Sequence, residues 1–278
     1  MKTLRILPAL LVGLFAGGSV QSSADADPVE GTYSVYTEYL TQVLERWPSP
    51  RGDTPAGDDV SIACLATAGA DKYVGMLQRA TIRAPLSLVE SVLDDVDHFK
   101  DLFPDTVDVH VVSGARVGPR YTTAWVQRAP IFFMPEIRYE MSHLVDKTSA
   151  TRAVYRYRLR RGDRLIASDG AVILESLGPA STRFTEYDFF NGHWGPIPAW
   201  IVWRESLRGA LHSDLAIKLK AENPDWSYAQ IAAEAKRLSH GQSDRLQRCF
   251  AERRVAAKPD EWSGTASGHE ITPPTQGR

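Results

Sequence analysis

Few side chains in this 278-residue sequence combine the type and the spacing that chemistry requires. His143 falls on the apolar face of an alternating segment. There an imidazole can act as a general base or hydrogen-bond a ligand, although a histidine satisfied within a core is the commoner outcome. Glu186 and Asp188 stand two apart on one face of another such segment. That is the placement of a paired-carboxylate acid/base site, but strand charges are usually solvated, so the expectation is that they face water. Tyr155 and Tyr157 add two phenol donors on one strand face, with Arg152, Arg156, Arg158 and Arg160 interleaved. The arginines could hold a phosphate headgroup, yet a solvated outer face is the default for such a ladder. No Ser/His/Asp order, phosphate loop, CxxC or HExxH spacing is present, so neither a metal nor a cofactor is expected.

Composition narrows the setting. Hydrophobic content of 43% with 24% charged residues is that of a globular protein with a sizeable core. A net charge of -2 gives no reason to expect nucleic acid as a partner. Residues 1–26 read as a signal peptide: Lys2 and Arg5 precede an apolar run from Ile6 to Val20, and Ala24-Asp25-Ala26 offers a small-x-small cleavage site. The mature protein is therefore expected to be periplasmic or secreted. In an oxidising compartment the two cysteines, Cys64 and Cys249, are expected to form a disulfide; two separate buried thiols are the alternative.

The elements that must position these groups follow from periodicity. Tyr33, Tyr36, Tyr39, Leu40, Val43, Leu44 and Trp47 recur at helical steps, and the Pro/Gly-rich stretch 48–59 is a linker. A strand begins at Lys72 and closes at Pro85. Leu88, Val92, Val96 and Phe99 then share one helical face, predicting two short helices with a break near Asp97. Strands are predicted at 108–112, 121–127, 137–145, 152–160, 167–177 and 182–190, the fourth alternating Tyr155, Tyr157 and Leu159 with arginines. Pro196 and Pro198 open a long helix that Asn223-Pro224 stops; at ~1.5 Å per residue it is roughly 30 Å long. Further helices are predicted at Tyr228–Leu238 and Asp244–Val255. The chain thus divides into the signal peptide (1–26), an N-terminal helix and linker (27–71), a central domain (72–222), a C-terminal helical extension (223–257) and a disordered tail (258–278).

A strand, two short helices, a run of antiparallel strands and one long closing helix: over residues 72–222 this order resembles the START-like helix-grip superfamily, which includes polyketide cyclases. The resemblance is carried locally by IRAPLSLVESVLDDVDHFKDLFP and by the closing GPIPAWIVWRESLRGAL. It implies an α+β fold in which a curved antiparallel β-sheet wraps round a long C-terminal helix, here with extra flanking helices. It also implies an internal cavity for a hydrophobic small molecule such as a lipid or sterol.

On that reading the inward strand faces carry Trp125, Tyr139, Met141, His143, Tyr155, Tyr157, Ile173 and Phe189. Opposite them the helix presents Trp200, Trp203, Leu207 and Leu211. The group describes an apolar pocket with a few phenol and indole donors, or else a filled core. The expected partner is a hydrophobic ligand, with transient membrane contact compatible with carrying it. Two other functions stay open: a cyclase, dehydratase or hydrolase using His143, Tyr155, Tyr157 or Glu186, and an interaction module of an envelope assembly.

Overall fold

Alternation in the strands and a 3.6-residue period in the helices are enough to specify the layers. The computed structural model describes residues 60–67, 74–115, 118–129, 134–192, 195–242 and 254–256. The predicted signal peptide, the N-terminal helix and the tail lie outside these residues.

Among the described residues, nine strands form one sheet. They are β1 (Val60–Thr67), β2 (Val74–Ile82), β3 (Thr106–Gly114), β4 (Arg120–Gln127), β5 (Ile137–Ser149), β6 (Arg152–Gly162), β7 (Leu165–Gly178), β8 (Ser181–Gly192) and β9 (Arg254–Ala256). The order across the sheet is β3-β4-β5-β6-β7-β8-β2-β1-β9. Hairpins link β3 through β8, and β2 closes against β8. The pairing is antiparallel except between β1 and β9.

β1 occupies the stretch around Cys64 that periodicity leaves unassigned, because its small residues alternate too weakly to be read. β9 corrects a second expectation. The predicted helix Asp244–Val255 lies outside the described residues except for Arg254 and Val255, which pair with β1 as a strand. β-branched valine suits that role.

Among the described residues four helices accompany the sheet: α1 (Leu86–Asp94), α2 (Phe99–Leu102), α3 (Ala199–Glu222) and α4 (Tyr228–His240). Pro85, extended at φ -63° and ψ 152°, starts α1. A 3-10 turn at Val96–His98 separates α1 from α2, so the break falls close to the predicted position. Val89, Val92, Leu93, Val96 and Phe99 are buried, the one-sided spacing expected of helices lying on a sheet. The long helix α3 starts after Pro198 and ends at Asn223, whose amide donates to the Leu219 carbonyl. α4 opens with a capping box between Ser227 and Gln230 and packs on α3 through Ile231 and Ala235.

The fold is α+β: a curved antiparallel sheet wrapped round α3, flanked by the other helices. Its core joins the inner sheet face (Met76, Ile82, Leu174, Phe184) to α3 (Trp203, Leu207, Leu211, Leu215). Each large side chain buried this way contributes about 1.5–3 kcal/mol.

Candidate functional site

Register decides what faces inward. Tyr121, His143, Tyr157, Gly170, Asp188 and Met76 form one row across β4, β5, β6, β7, β8 and β2. Tyr155, Val172, Glu186 and Gln78 form the next. Between this face and α3 lies a cavity of about 310 Å3, at the lower end of the range that holds small ligands.

The hollow exists because of what α3 presents to it. Ser206, Gly209, Ala210, Ser213 and Ile217 line the cavity, so the helix offers mostly short side chains there. Trp203, Leu207 and Leu211, expected to line it, are fully buried on the parts of the helix that meet its neighbours. A large apolar side chain gains most where dense packing surrounds it, and a hollow offers no such contacts. Trp200, also expected in the pocket, is 51% exposed, and the Arg204 guanidinium sits over its ring at 5.2 Å. Ile173 is likewise corrected: it is buried, but it pairs with Val154 and Thr185 on the opposite sheet face. Gly170 and Val172 set the inward parity of β7, which Ile173 cannot share. Phe189 sits by register opposite Gly75 and Asp169, out of step with Asp188 and Phe190; its side chain lies outside the described residues.

The structure does bring Trp125, Tyr139, Met141, His143, Tyr155 and Tyr157 together around the cavity. Aromatic rings pave it from α2 outward: Phe99 stacks on Phe103 at 4.7 Å, Phe103 lies parallel to Trp125 at 6.4 Å, and Trp125 lies parallel to Tyr139 at 6.0 Å. Tyr121 stacks on His143 at 4.5 Å. Such contacts add to the area term and hold the rings in place.

Several polar groups of the lining are held by their neighbours. The Trp125 indole N–H donates to Thr123 Oγ1 at 2.7 Å, and the same oxygen lies 2.7 Å from His143 Nε2. Thr123 is fully buried, so its hydroxyl proton finds its acceptor in a neutral imidazole. Burial lowers the His143 pKa to about 3, which keeps the ring uncharged at neutral pH. A base that weak is poorly matched to proton abstraction near pH 7. The Tyr155 hydroxyl donates to Asp94 of α1 at 3.2 Å, and Asp94 also takes Lys147 Nζ at 2.6 Å.

Glu186 and Asp188, expected in water, line the cavity instead. Tyr157 donates to Glu186 Oε1 at 3.0 Å, and burial and then the two carboxylates push its phenol well up. From the helix comes a residue that sequence reasoning missed: Asp214, 2% exposed. Burial, and then the neighbouring Glu186 carboxylate, raise its pKa well above the usual range. The signal available was an aspartate opening the mainly apolar helical run DLAIKL. At the other end, Pro104, Asp105 and Arg128 are exposed cavity-lining residues and mark the mouth.

No family model matches the chain, and no curated protein matches it in sequence. Solved structures do. Human STARD10 aligns with a TM-score of 0.52 at 13% identity, over 86% of this chain and 95% of that one. The STAR-related lipid transfer protein of Xanthomonas axonopodis aligns at 0.44 with 14% identity, over 66% and 97%. Human StAR-related lipid transfer protein 5 aligns at 0.46 with 9% identity, over 80% and 97%. Only the first is near enough to bear on architecture, and identities this low speak to the fold alone. With the strand order, the gripping helix and that alignment together, the chain has the START-like helix-grip fold.

Proposed function

We propose that this chain is an exported protein that binds and carries a hydrophobic small molecule, a lipid or sterol-like compound, in the cavity between sheet and α3. The observation that carries the reading is the cavity itself: an aromatic, mainly apolar lining faced by the short side chains of the long helix. Burying a dozen methylenes there, at ~0.8 kcal/mol each, gives about 10 kcal/mol before ordering costs, enough for firm retention. The START-like architecture agrees with it. Export rests on the Lys2-to-Ala26 segment and fits a soluble carrier crossing an aqueous space. Native mass spectrometry of protein purified from its host is the test. A mass excess removed by solvent extraction is expected. A clean apo mass with no uptake of any offered lipid or sterol overturns the reading.

A second reading has its own observation: Tyr157 and Glu186, both titratable, line the cavity and are hydrogen-bonded to each other. A carboxyl group and a phenol so placed can exchange protons with a bound substrate, as a cyclase, dehydratase or hydrolase requires. Chemical change of the extracted ligand on incubation with fresh protein, abolished in Glu186→Gln, is the result that would favour it.

A further inference from the structure

A short chain of hydrogen bonds decides which nitrogen of His143 carries the proton. The Trp125 indole can only donate, and it donates to Thr123 Oγ1 at 2.7 Å. Thr123 is fully buried, and among the described residues the one acceptor within reach of its hydroxyl proton is His143 Nε2, at 2.7 Å. Nε2 is therefore bare, and the neutral ring keeps its proton on Nδ1. That N–H needs an acceptor, and the described residues supply none. The ring is flanked by its register partners, Tyr121 on β4 and Tyr157 on β6, with centroids 4.5 and 6.5 Å away. Unlike His212 Nε2, which is shut in without a partner, His143 Nδ1 still meets open space, and His143 lines the cavity.

A ligand group that meets this N–H must accept a hydrogen bond, and the surroundings require it to be uncharged. Glu186 and Asp188 line the same cavity. Among the described lining residues the only Lys or Arg is Arg128, exposed at the mouth. A carboxylate or phosphate oxygen drawn to a neutral imidazole would give up its water with no counter-charge in exchange. A carbonyl oxygen has no charge to desolvate and brings no proton in need of an acceptor.

We propose that His143 Nδ1–H is a polar anchor of the cavity, donating to the carbonyl oxygen of an uncharged ligand whose apolar body lies on the aromatic lining. Thr123 is the positioning residue, since its hydroxyl holds the ring in the tautomer that donates. The inference rests on the hydrophobic-ligand reading above and narrows it to neutral carbonyl compounds. Two sources supply that chemistry, a ketone and an ester.

The test is calorimetric titration of the full chain with 2-acetylnaphthalene, methyl 2-naphthoate, 2-isopropenylnaphthalene and 2-naphthoate. The third has the shape of the ketone with a CH2 in place of its oxygen, and the fourth carries a carboxylate. The tighter-binding of the two carbonyl probes is expected to exceed both others by about tenfold, and names the ketone or the ester as the source. Its carbonyl stretch is expected to move to lower frequency on binding, and nitrogen NMR of the free protein to place the His143 proton on Nδ1. Thr123→Val releases Nε2 and should reduce both the preference and the infrared shift; His143→Phe should abolish them. If the variants fail to fold, the isostere comparison, the infrared shift and the tautomer, all read on the parent protein, decide alone. The isopropenyl compound or the carboxylate binding as tightly as the carbonyl probes, or a proton found on Nε2, overturns the anchor and leaves the hydrophobic cavity standing. Failure of every probe to bind overturns both.

Discussion

Tyr157 lies across Gly170: a Cβ placed on that glycine would stand 2.4 Å from the phenol ring and its hydroxyl. The missing side chain is what lets the ring cross β7 and donate to Glu186 on β8. Gly170→Ala is therefore expected to push the ring into the cavity and break that hydrogen bond, at about 1–3 kcal/mol of stability. Chemical denaturation measures the loss, and ligand titration should show weaker binding. An alanine variant as stable as the parent would mean that the ring has another place to lie.

The short side chains of α3 make the cavity, so lengthening one should fill it. Ala210→Leu adds apolar volume where Ala210 lines the hollow. Ligand affinity is expected to fall by about tenfold or more, while thermal stability holds or rises, since a void is being filled. Native mass spectrometry and a thermal melt on one preparation separate the two effects.

Lys218 is buried on α3, with Nζ 2.5 Å from Glu222 and 2.6 Å from the Thr81 carbonyl of β2. Removing one partner of a buried pair strands the other. Glu222 keeps the Arg83 backbone N–H at 2.7 Å, so Lys218→Met should cost about 3 kcal/mol, the lower end for such losses. Urea denaturation reads the change.

Acid sensitivity has a sign. In the unfolded chain a histidine takes up its proton near pH 6.5, whereas burial holds His212 to about 4 and His143 to about 3. The unfolded state thus binds more protons between those values, so these two groups favour the fold fully above pH 6.5 and progressively less below it. Asp169, raised by burial to about 6, and Asp214, raised by burial and its neighbours, oppose the trend as pH falls. His143→Gln is expected to flatten the loss of stability between about pH 7 and pH 5, followed by denaturation at each.

The Cys64–Cys249 pairing falls on side chains outside the described residues, but the sheet bears on it. Leu65, next to Cys64, pairs with Arg254 in the parallel β1–β9 ladder. Cys249 precedes Arg254 by five residues, a reach of at most roughly 17 Å. We expect exported protein to carry the bond and reduction to cost about 2–5 kcal/mol. Peptide mapping without reductant that recovers both cysteines as thiols would rule it out.

Much of the scaffold was legible because its signals are local. The strand ends follow turn residues such as Gly114, which sits at φ 79°, and α3 runs between two prolines and an Asn-Pro stop. Strand parity was legible in β4, β5 and β6, so Trp125, Tyr139, Met141, His143, Tyr155 and Tyr157 were placed on the cavity. It failed in β7 and β8, which are apolar or polar on both faces near the site, and so Ile173 was turned inward and Glu186 outward. Helix α3 was misread for another reason. Its widest apolar stripe was taken to face the hollow, when packing against α1, α4 and β2 claims that stripe. What faces the cavity is decided by partners distant in sequence, and no spacing within the helix reports them.

The separation on α3 between the stripe that anchors and the stripe that leaves room has an evolutionary consequence. Exchanges at Ser206, Gly209, Ala210 or Ser213 can redraw the guest's outline one atom at a time, while Trp203, Leu207 and Leu211 hold the rod in place. Descendants of such a chain can therefore change what they accept by drift at a handful of positions, without first acquiring mutations that rescue folding.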